Sequence, residues 1–131
     1  MKKTKTLTYA KAKENAWDAF SKFIRVRDEA DGCFTCGVKK PWKEMEAGHF
    51  TIGRHNSVLF DERNVHAQCG GCNGFLRGNL IEYYPKMLAK YGQKVIDEIK
   101  ELNKQTLQLK VYQLVEIKEK YTELYEKLKD K

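Results

Sequence analysis

Two cysteine pairs, Cys33-Phe34-Thr35-Cys36 and Cys69-Gly70-Gly71-Cys72, stand 32 residues apart and constrain this chain more than any other feature. In a reducing compartment, structural disulfides between them are disfavoured. A thioredoxin-type site needs only one such pair, in a βαβ setting that the flanking residues do not offer. Two C-x-x-C knuckles match a tetrahedral four-thiolate zinc site instead, with each sulfur about 2.3 Å from the metal. Such a site keeps no open coordination position, so its zinc is structural and cannot activate water.

Around the knuckles the chain divides into three zones. Residues 1–30 hold a basic tail and a helix, in which Ala16, Trp17, Phe20, Phe23 and Ile24 recur at helical spacing and read as core. Asp31-Gly32 breaks that helix. Residues 31–79 are rich in Gly, Asn, His and Cys and have little helical periodicity. Within them, residues 46–50 predict a short strand, and residues 51–61 a loop with turn residues Gly53 and Asn56-Ser57. Residues 64–68 predict a second strand with Asn64, His66 and Gln68 on one face. The second knuckle then opens a short helix, broken around Gly78. Residues 80–131 read as helical apart from Pro85 and Gly92. Leu107, Val111, Leu114, Lys118, Tyr121, Tyr125 and Leu128 follow alternating spacings of four and three. That stripe serves either a homodimer seam or packing on the chain's own first helix.

With 131 residues, 41% of them hydrophobic, the chain fits one domain or a small module with a helical appendage. No apolar run approaches the roughly 20 residues that span a bilayer. The basic start, MKKTKTLTY, has no apolar stretch behind it, so no secretory signal is expected and a cytoplasmic location is. A net charge of +7 asks for an anionic partner. Lys2, Lys3, Lys5, Lys11 and Lys13 cluster at the start without an acid, and Arg54, Arg63 and Arg77 lie near the knuckles. These are candidate contacts to a phosphate backbone.

All three histidines, His49, His55 and His66, fall between the cysteine pairs. Clustered beside a metal scaffold, with Asn64 and Asn73, they suggest general-base and metal-ligand duties. Since the zinc is closed, such chemistry calls for a separate hard cation on the adjacent strand-loop-strand unit.

The order is a knuckle, a short strand ending in His, a loop, an Asn-bearing strand, then Cys-x-x-Cys-Asn. It resembles the HNH nucleases with their ββα-metal finger. The stretches DGCFTCG, PWKEMEAGHF, LFDERNVHAQCGGCN and GNLIEYY resemble the NinG/Rap recombination endonuclease family of lambdoid and other phages, closely over residues 28–92. The resemblance implies an α+β fold, a small zinc-stapled finger flanked by N- and C-terminal helices. It also implies a nuclease acting on branched DNA, such as D-loops and Holliday junctions, in the host cytoplasm if phage-encoded.

By that resemblance His49 matches the general base, Asn64 the residue that orients it, and Asn73 a ligand of the catalytic cation. Arg77 matches a phosphate-holding position. Many HNH proteins carry Asp or His just before the base; here that residue is Gly48. His66 is the expected replacement ligand, with His55 and Asp61 behind it, and the roles of His49 and His66 are interchangeable at this stage. A neutral imidazole would take a proton from water above a pH of about 6.5. Mg2+ or another divalent cation would stabilise the leaving 3′ oxygen, leaving a 5′-phosphate. A non-catalytic zinc-stabilised DNA-binding module, or an interaction module, would keep the cysteines but have no use for clustered imidazoles.

Overall fold

The computed structural model describes residues 6–130. Lys2, Lys3 and Lys5, expected to contribute to a basic tail, lie outside the described residues. Helix α1 (Tyr9–Asp28) begins where Thr8 Oγ1 accepts the Lys11 N–H at 3.2 Å, an N-cap. Its buried face holds Ala16, Phe20, Phe23 and Ile24 of the stripe read from the sequence, with Ala12 and Ala19 added and Trp17 only half-buried. The helix stops before Gly32, whose φ of +80° suits glycine, and where a Cβ would stand 2.8 Å from the Val38 carbonyl.

Strands β1 (Glu46–His49) and β2 (Val65–Gln68) pair antiparallel, with Glu46 opposite Gln68, Gly48 opposite His66 and His49 opposite Val65. Helix α2 (Asn56–Leu59) is one turn within the connection. After β2 the second knuckle leads into a wide π-type turn, Gly71–Phe75, instead of a regular helix. Helix α3 (Leu80–Tyr91) follows Asn79, which adopts a left-handed conformation. It runs through Pro85, where a break was expected; the site is exposed, so water can take the carbonyl that has lost its N–H partner. Gly92 does end it, with φ +87°, and α4 (Gln93–Asn103) and α5 (Val111–Lys129) complete the chain. Among the described residues, no helix is long and apolar enough to cross a membrane.

The two-stranded sheet is packed on both faces. Ala47 and Val65 meet α1 in a cluster with Phe20, Phe23, Ile24 and Tyr121. On the other face, Tyr83 of α3 reaches His66 and joins a cluster with Phe50, Val58, Met87, Ile96 and Ile99. The apolar stripe of α5 lies on α1: Leu114 packs with Ala12 and Ala16, and Tyr121, Tyr125 and Leu128 with the Phe20 cluster. Five of the seven residues expected at a homodimer seam, Val111, Leu114, Tyr121, Tyr125 and Leu128, are therefore used within the chain, while Leu107 and Lys118 are exposed. A helix with only part of its face apolar has one such stripe to bury, and α1 offers the complementary one.

Two strands alone leave both sheet edges open. The end of α1 covers that of β2. Asp28 Oδ2 accepts the Ala67 N–H at 2.9 Å, while the Arg27 guanidinium donates to the Val65 carbonyl at 2.9 Å and the Glu62 carbonyl at 3.0 Å. Arg27 and Asp28 also bond each other through paired contacts of 2.7 and 3.0 Å, and Asp28 is buried. The Phe34 N–H adds a bond of 2.8 Å to the Ala67 carbonyl. Removing the Asp28 carboxylate would leave a half-buried guanidinium without its counter-charge and the Ala67 N–H without its acceptor. Asp28→Ala should cost on the order of 3 kcal/mol of folding stability, measured by denaturant unfolding; a change within 0.5 kcal/mol, the usual surface value, would show the edge contact to be dispensable.

Candidate functional site

The four cysteines converge as their spacing predicts. Their sulfurs all lie within 4.8 Å of one another, and Cys36 Sγ and Cys69 Sγ are 3.7 Å apart. Ligands about 2.3 Å from a tetrahedral zinc sit about 3.8 Å from each other; a disulfide would need about 2.05 Å. Both knuckles use the same local bond: the Cys36 N–H donates to Cys33 Sγ at 3.5 Å and the Cys72 N–H to Cys69 Sγ at 3.4 Å. Burial opposes ionisation of the Cys33 thiol, but bonds from Thr35 and the Cys36 N–H outweigh it and bring the thiol down to about 6. The set of four soft donors fits a structural metal such as zinc.

The three histidines separate. His49, at the end of β1, is stacked on Trp17 with ring centroids 5.1 Å apart, and Arg54 lies 4.4 Å over the same indole. Its Nε2–H donates to the Leu59 carbonyl at 3.3 Å, which leaves Nδ1 as the lone-pair nitrogen. Burial, aided by the Arg54 charge and opposed by the Leu59 carbonyl, lowers the imidazole to about 4. It is therefore neutral over the whole physiological range.

His66 does not fill the metal-ligand or base role expected of it. It has no exposed surface, lies 4.0 Å from the Phe34 ring in a stack, and both its nitrogens are bonded within the core. The Tyr83 hydroxyl donates to the Gly48 carbonyl at 2.8 Å, so His66 Nδ1–H donates to Tyr83 Oη at 3.0 Å, and the Tyr91 hydroxyl donates to Nε2 at 2.8 Å. Burial, with Arg27 nearby, lowers this imidazole to about 3. His66 thus anchors the backbone just before His49. His55 is also remote in function, its Nδ1–H donating to the Asn103 carbonyl at 2.8 Å. Asp61 is held by Arg63, which bonds Glu98 as well, at 2.9 Å in each case. Arg63 is thereby committed to internal carboxylates, while Arg77 is exposed in a left-handed turn after the knuckle and not on a helix.

Asn64 stands just before β2 and is fully buried, its carbonyl accepting the Phe50 N–H at 2.8 Å. Its amide donates to Thr51 Oγ1 at 3.0 Å and to the Val58 carbonyl at 3.2 Å, and its oxygen accepts the Thr51 N–H at 3.2 Å. It ties the start of the loop to α2, next to the Leu59 carbonyl that holds His49. Asn73 donates through Nδ2 to Glu46 Oε1 at 2.8 Å, and both line an open groove with Trp17, Arg25, Ala47 and Arg54. Gly48 is buried where a Cβ would collide with Gln68 Oε1 and stand 2.8 Å from Asn73 Oδ1. Gln68 Oε1 is buried without a hydrogen-bond partner among the described residues, a state that costs on the order of 1–3 kcal/mol. Sequence reasoning treated Trp17 as core and gave Glu46 and Gln68 no role. For Gln68 the signal was present, in its position two residues beyond His66 on the same face; for Trp17 none distinguishes a groove wall from a core residue.

These features define a small helix-and-hairpin protein in which four clustered cysteines, fitted to hold a metal, flank a two-stranded sheet between helices. Residues 1–131 match the family described as Bacteriophage Lambda NinG protein, and the chain belongs to that family. Among its relatives are Protein ninG of Escherichia phage 933W, 37% identical over 89% of this chain and 56% of that protein, and Protein ninG of Escherichia phage lambda, 37% identical over 66% and 42%. The chain spans about half the length of the curated relatives it matches. No solved structure matches it.

Two outcomes follow from this geometry. One zinc per chain should be found by native mass spectrometry, and Cys33→Ser should lose both the zinc and cooperative unfolding, since metal affinity in such a centre is folding free energy. The histidines should make the protein acid-labile. Unfolded imidazoles hold a proton below about 6.5, whereas His49 and His66 take one only near 4 and 3 when folded. Their contribution is complete above the unfolded value and falls with pH by about 1.4 kcal/mol per unit for each group. Denaturant titrations at pH 7 and 5.5 should show a steeper loss for wild type than for His66→Gln; equal losses would contradict the buried neutral state of His66.

Proposed function

We propose that this chain is a metal-dependent endonuclease module of the HNH, ββα-metal type, acting on DNA, with branched DNA as the substrate class. The observation that carries the reading is His49: a neutral imidazole at the end of β1, tautomerically fixed by Leu59, with a free lone pair on Nδ1. The ring stacks on Trp17, and Trp17 lines an open groove with Arg25, Arg54 and Asn73.

In this reading His49 Nδ1 accepts the proton of the attacking water. Asn64 and Leu59 hold the imidazole plane, and Trp17 covers it. The Asn73 amide oxygen, a hard donor, suits Mg2+ or Mn2+. When bound, such a cation neutralises charge on the phosphate and on the departing 3′ oxygen. Arg54 and Arg25 face the backbone phosphates, and the net charge of +7 favours encounter with DNA. Paired cuts across a four-way junction would call on two chains, and with the α5 stripe packed on α1 the second copy would meet the first through another surface.

Cleavage of linear and four-way DNA with Mg2+, with and without chelator, tests the proposal. His49→Ala should lose about 10²–10⁴ of the rate while binding DNA normally. The acid limb of kcat/KM, which follows the free base, should sit near 4 and not near the ordinary imidazole value, because only the neutral form accepts the proton and activity rises with pH through that point. Salt-sensitive binding without any cleavage would return the chain to the non-catalytic DNA-binding class.

A further inference from the structure

We propose that Gln68, through Oε1, supplies the cation ligand that Gly48 does not. The assignment rests on the nuclease reading only for the identity of the cation as the catalytic one.

Gln68 is fully buried at the end of β2, and its amide cannot turn over: Nε2 donates to Thr35 Oγ1 at 3.1 Å and to the Gly78 carbonyl at 2.9 Å. Oε1 is thereby aimed at Gly48, where it has no donor among the described residues. Asn73 is fixed in the same way. Its Nδ2 is taken by Glu46 Oε1, so its Oδ1 is turned toward the same place. Two oriented amide oxygens therefore both lie within 2.8 Å of the position a Cβ on residue 48 would occupy, with a carboxylate behind one of them. Two acceptors set about one point with no donor to satisfy the buried one are unfavourable alone; a hard divalent cation satisfies both. Two neutral oxygens and a nearby carboxylate make a weak site, completed by water and by the substrate phosphate, the usual manner of binding Mg2+. Gly48 and Gln68 also depend on each other, because any side chain at 48 would displace the glutamine oxygen.

Mn2+ titrated into the zinc-loaded, 15N-labelled full chain is the probe. The side-chain amide signals of Gln68 and Asn73 should broaden and vanish first, before those of surface Asn and Gln residues. Gln68→Met keeps the length and removes the oxygen, and Gly48→Ala pushes the oxygen aside. Each should weaken Mn2+ binding, read by electron paramagnetic resonance, by about tenfold or more, at least the loss that even an outer-shell partner causes. Zinc content should stay at one per chain. Where a variant fails to fold, the wild-type broadening decides. Absence of Mn2+ binding, broadening that spares Gln68, or unchanged affinity in folded Gln68→Met overturns the assignment. Mn2+ at Gln68 in a protein that cuts no DNA upholds the site and overturns the nuclease reading. Cleavage with no Mn2+ effect at Gln68 does the reverse.

Discussion

Four sulfurs within 4.8 Å of one another determine where everything else in the middle of this chain can go. One pair follows α1 and the other follows β2, so bringing them together lays the end of the helix along the outer edge of a strand. Only then can Arg27 and Asp28 reach the Val65 carbonyl and the Ala67 N–H. A hairpin of four residues per strand is marginal in water by itself. Here one edge is capped by α1, both faces are covered by helices, and the exit from β2 is pinned by Cys69 and Cys72.

The sheet's two faces have different duties. His49 belongs to the side that meets α1, where burial and, to a lesser degree, the Arg54 charge keep its imidazole neutral. Gly48, His66 and Gln68 share the opposite side, where a chain of bonds runs from Tyr91 through His66 and Tyr83 to the Gly48 carbonyl. That chain holds the backbone of residue 48 by its oxygen. Since His49 follows directly, the position of its ring is inherited from a network that never touches it. A core histidine thus serves the site by placement and not by protonation.

Much of this was legible from the residues, for identifiable reasons. Cysteine spacing is a local signal for a metal centre, and the apolar stripe of α1 declares a helix without tertiary information. Alternation placed the two strands within a residue of their observed bounds. What could not be read was which histidine is wrapped by tyrosines, because Tyr83 and Tyr91 lie 17 and 25 residues away in sequence. The α5 stripe could pack on α1 or on a copy of itself, and periodicity does not choose between partners. Arg63 looked available for phosphate until Glu98, 35 residues on, was found beside it.

The glycine before His49 shows why a departure from a motif is best read in three dimensions. Along the chain, Gly48 is a lost side chain and the nearest histidine on the facing strand looks like its substitute. In space, the vacancy is shared by residues from two other elements: Gln68 enters it from β2, and Asn73 borders it from the turn after the knuckle. His66, directly opposite Gly48 in the strand register, is turned away into the tyrosine cluster. Register proximity therefore points to a residue whose two nitrogens are already committed. The difference lies in hydrogen-bond satisfaction: both His66 nitrogens have partners, whereas the buried oxygen of Gln68 has none among the described residues. A buried acceptor without a partner asks for an explanation, and for an amide oxygen beside a second amide oxygen a hard cation is one that fits.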